Sequence, residues 1–280
     1  MGGIFVRSSA SQSRIAQARA WLEARTPAEE ILVLAANADA ASELVRGVAL
    51  EKGAVFGWHR RSLPQFAAVL AAPLLAERKI VPLGSLGVQA ICARVVNRVA
   101  AQSALGRYAN IANSPGFAQA LARAVTELRS AKLGPEALSR VAPDLSPMVE
   151  AYEAILNEDG FTDWAGLLAI ATDAVMGEGS AHPLLGLPTI MLDVPVRTEA
   201  ELDFLRAFGP RVPELLFLAP AADERTRARA RAAFSMEIID LNEAKPLAAG
   251  ALARLQRHLF KETSEPTQLL HGLCLTLLVC

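Results

Sequence analysis

Between Glu30 and Ala35 the chain reads EILVLA, an apolar run with no polar alternation after its first residue. A strand covered on both faces needs that composition, and such strands belong to parallel sheets whose crossovers lay helices on both sides. The flanking segments fit the same scheme. Ile4–Arg7 reads as a strand, and Ser13–Arg25 as a helix with Ile15, Ala18 and Leu22 on one face. Ala38–Lys52 reads as a helix stopped by Gly53, Val55–His59 as a third strand, and Pro64–Arg78 as a third helix with Pro64 in its first turn. A βαβαβα order implies a parallel sheet with right-handed crossovers.

From Gly84 to Met176 the periodicity becomes almost wholly helical, with amphipathic stretches at 88–103, 115–132, 147–157 and 164–176. Breakers stand at Ser114-Pro115, Gly134-Pro135 and Gly160. Strand signals then resume: Thr189–Asp193 (TIMLD), Leu215–Leu218 (LLFL) and Met236–Asp240, separated by helices at 199–208 and 223–234 and followed by one at 247–260. The economical reading is one α/β domain split into 1–83 and 185–260, interrupted by an all-helical insertion over 84–184. The tail, 261–280, ends in QLLHGLCLTLLVC and reads as a truncated or non-native end.

Composition narrows the function classes. With 52% hydrophobic and 20% charged residues, the chain can bury a substantial core. Arginine outnumbers lysine 23 to 5, yet the formal net charge is −1, so any nucleic-acid contact must be a local patch. Cys92, Cys274 and Cys280 have no metal-ligand spacing, and His182, His258 and His271 stand alone, so no metal site is expected. No G-x-S-x-G elbow and no four-acid nuclease pattern occurs. No stretch reaches the ~18–20 apolar residues of a membrane span and no signal peptide opens the chain, so a cytoplasmic protein is expected.

The first strand, the small polar run after it and the following helix have the layout of a phosphate-binding loop, in which backbone N–H groups at a helix N-terminus face an anion. The loop chemistry is absent. Laid on G-x-x-x-x-G-K-[ST], the glycines fall on Ser8 and Ser13, the lysine on Arg14 and the magnesium-binding hydroxyl on Ile15. Asp193, at the end of a buried strand, stands where P-loop ATPases place a magnesium-organising carboxylate, but Val194 and Pro195 follow it instead of a second acid. Asp193 is equally readable as a cap of the turn after its strand. Asp223-Glu224 reads as an N-cap and first-turn acid. Trp58-His59-Arg60-Arg61 is the densest basic and aromatic spot, suited to a phosphate backbone or a stacked base, or else a solvated strand end.

The order of these pieces resembles superfamily 1 DNA helicases of the UvrD type, and more closely the N-terminal part of the B subunit of AddAB-type helicase–nucleases, whose C-terminal domain carries a PD-(D/E)XK nuclease. ILVLAANADAASELVRG is similar to the helicase segment after the P-loop that lies along single-stranded DNA, with Asn37 at its second threonine. FGWHRRSLPQFAAVL is similar to the next strand and turn. SPGFAQALARAVTELRSAKL and AYEAILNEDGFTDWAGLLAIA resemble the helical subdomain 1B; TIMLDVPVRTEAELDFLRAF and LFLAPAADERT resemble the magnesium-carboxylate strand and the strand after it, with Ala222 replacing a motif glycine. The resemblance implies a RecA-like P-loop-type sheet with a helical insertion (helicase 1A/1B-like). It implies a motor that has lost ATP and magnesium binding, with Ser8, Ser13, Arg14 and Asp193 as relics of the nucleotide site. It implies DNA contacts at Asn37, Arg60, Arg61 and Ser62. The expected partners are single-stranded or forked DNA and a helicase A-type subunit, with no membrane and no activity in this chain alone. Two alternatives are an atypical nucleotide hydrolase using Arg14 and Asp193, and a pure assembly scaffold.

Overall fold

The computed structural model describes residues 2–114, 116–177 and 182–241. The helix expected at 247–260 and the tail lie outside the described residues. Strands β1 (Gly2–Ser8), β2 (Ile31–Ala35), β3 (Trp58–Ser62), β6 (Thr189–Leu192), β7 (Glu214–Pro220) and β8 (Met236–Asp240) form one sheet, and every pairing in it is parallel. Its order is β3-β2-β6-β7-β1-β8. The fold is α/β and consistent with a RecA-like domain. The strands before and after the helical segment thus complete each other: β6 lies between β2 and β7, and β7 brings β1 into the same sheet.

Residues of β2 are buried throughout, as the EILVLA run requires. Alternate residues feed two cores. On one face Val6, Val33, Ile190 and Leu218 pack under helices α1 (Ser11–Glu23) and α2 (Ala38–Lys52). On the other face Phe5, Leu34, Met191 and Phe217 pack under α3 (Leu63–Arg78), α8 (Trp164–Met176) and α9 (Glu199–Phe208). Phe5 stacks on Phe217 at 5.2 Å, and Phe66 meets Phe208 edge-on at 4.9 Å.

Between α3 and α8 a lobe is built from α4 (Ser85–Ala101), α5 (Phe117–Ser130), α6 (Pro135–Val141) and α7 (Ser146–Asp159). It has its own core, centred on Val95, Val125, Met148 and Tyr152. Two short strands, β4 (Val81–Pro82) and β5 (Phe161–Thr162), pair in parallel where the chain enters and leaves it. Helix α8 does not belong to this lobe. Its Leu168, Ala171 and Val175 are buried in the core beneath the main sheet, so the sequence boundary at 184 falls some way beyond the structural one, near β5. An apolar helix has no polar face to say which core it joins, and periodicity alone could not place it.

Strand β3 also begins later than Val55–His59. Gly57 sits at φ +74°, and the Phe56 N–H donates to the Pro27 carbonyl at 2.8 Å, so a turn occupies 55–57 and pairing with β2 starts at Trp58. A Cβ on Gly57 would lie 2.9 Å from Glu30 Cγ. Gly57→Ala is therefore expected to cost about 1–2 kcal/mol, through left-handed strain more than through contact with the flexible Glu30 chain. A thermal midpoint equal to that of the unchanged protein would refute this. Among the described residues no helix is long and apolar enough to cross a membrane.

Candidate functional site

Parallel strands deliver their C-terminal ends to one edge of the sheet, where open α/β proteins bind ligands. Here Ser62, Ala35, Leu192, Leu218 and Val6 stand in one register row. One or two residues beyond it lie Asn37, Asp193 and Ser8. The fold therefore brings Ser8, Asn37, Ser62 and Asp193 to this edge, with Arg14 joining through its pair with Asp193, while Arg61 and Arg60 lie one and two residues back in β3 and Ser13 in the first turn of α1.

At its centre Arg14 and Asp193 pair. Arg14 Nε donates to one carboxylate oxygen of Asp193 at 2.7 Å and a terminal nitrogen donates to the other at 3.1 Å. The second terminal nitrogen donates to the Ser8 carbonyl at 2.6 Å. This bidentate fork, built across 179 residues, is the strong form of a charge-assisted contact. Arg14 is 5% exposed. It takes the buried face of α1 with Ala18 and Leu22, whereas Ile15, expected on that face, is exposed. Among the described residues no backbone N–H donates to the Asp193 carboxylate, which is taken by Arg14 rather than by a turn. Asp193 leaves β6 at φ +52°, with its own N–H donating to the Leu218 carbonyl at 2.9 Å, and this left-handed step precedes Val194 and Val196, which enter the core.

The turn before α1 is short. The helix starts at Ser11, so Ser9 and Ala10 alone separate it from β1 and Ser13 lies inside its first turn rather than closing a long loop. Ser8 is buried, and its Oγ accepts from the Ala10 N–H at 3.1 Å. The chemical consequence is specific. An anion arriving here would compete with Asp193 for Arg14, and a cation would compete with Arg14 for Asp193. No group of three or more His, Cys, Asp or Glu residues that could hold a metal ion occurs among the described residues.

Along the same edge the N-termini of α2 and α3 are closed by their own caps, whereas α1 has no side-chain cap at Ala10. The Asn37 side-chain oxygen accepts from the Ala40 N–H at 2.8 Å. Ser62 and Gln65 form a capping box, each side chain accepting the other's backbone N–H. Arg60 and Arg61 differ from most arginines here, because neither has a carboxylate partner among the described residues; Arg61 donates to the Arg60 carbonyl at 2.8 Å. Trp58 is 5% exposed and packs with the α2 side of the core, so it is not a stacking platform. Asp223 caps α10 (Glu224–Ala233), accepting from the Thr226 N–H at 2.9 Å, as its sequence position implies.

A second charged cluster escaped the sequence reading. Asp163, 4% exposed, accepts from Arg129 Nε at 2.6 Å, from the Tyr152 hydroxyl at 3.3 Å and from the Gly166 N–H at 2.9 Å. Arg129 also reaches Glu153 and lies over the Tyr152 ring at 5.7 Å. Burial pulls the pKa of the Arg129 guanidinium down, but the hydrogen bond and charge of Asp163 more than offset it and hold the group above its ordinary value. Burial, then the Asp163 charge, pushes the Tyr152 phenol up, and the same two causes push the Cys92 thiol up to about 12. The only local signal was Asp163 itself, placed just before an apolar helix as an N-cap would be.

No protein-family model matches this chain, and no curated protein sequence matches it.

Proposed function

We propose that this chain is an inactivated helicase-like module that binds single-stranded or forked DNA and a helicase A-type partner subunit, in cytoplasmic DNA repair or recombination. The observation that carries the reading is the Arg14–Asp193 fork. The two residues that stand for the lysine and the magnesium carboxylate of a motor neutralise each other instead of facing a nucleotide. DNA is held on the neighbouring strand ends. Arg60 and Arg61 supply charge with no carboxylate among the described residues to compete for it, the Asn37 amide supplies hydrogen-bond donors, and Ser62 caps the helix that follows the two arginines. Contacts of this kind position a phosphate backbone without reading its sequence.

Fluorescence anisotropy with a labelled oligothymidylate at ~50 mM salt tests this reading. Binding should weaken linearly in log–log form as salt rises, and Arg60→Ala and Arg61→Ala should each lower the slope by about 1. Absence of binding at low salt would overturn the DNA assignment. ATP turnover that disappears in Asp193→Ala would overturn the inactivated-motor assignment in favour of an atypical hydrolase.

A further inference from the structure

The lobe and the α/β body keep separate apolar cores. The chain crosses between them twice, and the crossings are bonded to each other: the Val81 N–H donates to the Gly160 carbonyl at 2.9 Å and the Leu83 N–H to the Thr162 carbonyl at 2.7 Å. They form a narrow strip. Away from it α5 lies against α8 and α9, and the seam there holds an open cleft of about 390 Å³, with Arg129, Lys132 and Glu153 on the lobe and Gly166, Ala169 and Asp203 on the body. Among the described residues two ionic contacts cross the seam. Arg129 reaches Asp163, immediately beside the crossing strip, and Lys132 reaches Asp203 on α9. Lys132 follows the end of α5 in a left-handed conformation, φ 61°, with its N–H donating to the Arg129 carbonyl at 2.9 Å.

We propose that the lobe swivels on the paired crossings and that the Lys132–Asp203 contact is the latch holding it against the α/β body. Interfaces between units with separate cores move unless they are large and apolar, and this seam is polar and incompletely filled. Lys132 is 60% exposed in its side chain, so its ion pair is weak and screened by salt. Arg129–Asp163 is buried at the pivot and stays made as the lobe turns. Opening the seam would uncover the Gly166–Ala169 face of α8. This inference does not depend on DNA binding.

The test is a spin-label distance between Val141→Cys on the lobe and Leu50→Cys on α2, both exposed positions, with Cys274→Ser and Cys280→Ser and with buried Cys92 retained. At low salt one narrow distance distribution is expected. Lys132→Asp should broaden it or add a second population while far-UV circular dichroism stays unchanged. Because Arg206 also pairs with Asp203, the charge swap is made in an Arg206→Ala background. There Lys132→Asp with Asp203→Lys should restore the narrow distribution, and ~1 M salt should shift the unchanged protein toward the Lys132→Asp result. A narrow, unshifted distribution in Lys132→Asp would overturn the latch, as would broadening that the swap fails to reverse.

Discussion

Asp193→Ala is expected to lower the free energy of unfolding by about 3 kcal/mol, among the largest effects of any single substitution at the candidate site. The Arg14 side chain is 7% exposed, and without Asp193 its charge keeps one described acceptor, the Ser8 carbonyl. A fully buried charge that loses its partner costs about 3–5 kcal/mol; the partial exposure of Asp193 lets water approach and sets the lower end. About 1 kcal/mol of the loss is backbone, since Ala tolerates the left-handed conformation of residue 193 less well than Asp. Asp193→Asn separates the two parts, because Asn accepts that conformation and keeps one acceptor oxygen but not the charge. Arg14→Met combined with Asp193→Asn should recover most of the stability, because an apolar chain of similar length fills the space and no charge is stranded. Urea midpoints at constant m measure each step. An Asp193→Ala midpoint unchanged from the parent would mean that Arg14 is hydrated and the site open.

The same pair shows why the fold was more legible than the site. The parallel sheet follows from local signals: the unbroken apolar run of β2, the glycine stop after α2 and Pro64 in the first turn of α3. Each of these states its structure within a few residues. Arg14 does not. A helix face of Arg14, Ala18 and Leu22 looks inferior to one of Ile15, Ala18 and Leu22 until Asp193 arrives from the far end of the chain to neutralise the guanidinium. Trp58 misleads in the opposite way. Its neighbours Arg60 and Arg61 suggest a surface patch, but the turn at Gly57 moves the strand start so that Trp58 enters the core and the arginines remain outside. Asp163 is half legible. Its capping role is local, whereas its contacts with Arg129 and Tyr152 depend on how α5 and α7 pack.

Asp163→Ala should be as damaging as any change at the strand ends, and for a different reason. One buried carboxylate closes the first turn of α8, holds Arg129 and receives the Tyr152 hydroxyl. Losing the cap costs about 1 kcal/mol. Stranding Arg129, which retains Glu153, adds about 2 kcal/mol, and the unpaired Tyr152 hydroxyl contributes about 1 kcal/mol further. The sum, about 4 kcal/mol, is an upper figure, because the three contacts share one group and are not independent. An order of effects follows that apolar packing alone would not give. Asp163→Asn retains the capping oxygen and should fall between Asp163→Ala and Tyr152→Phe, which removes one hydroxyl at a cost of about 1 kcal/mol. Were Asp163 merely a helix cap, Asp163→Asn would be nearly neutral and Tyr152→Phe silent. Native-state hydrogen exchange locates the damage: protection should fall in α5, α7 and the first turn of α8, while β2 and β6 keep theirs, because among the described residues the hydrogen bonds of this carboxylate go to Arg129, Tyr152 and Gly166 and none to the sheet.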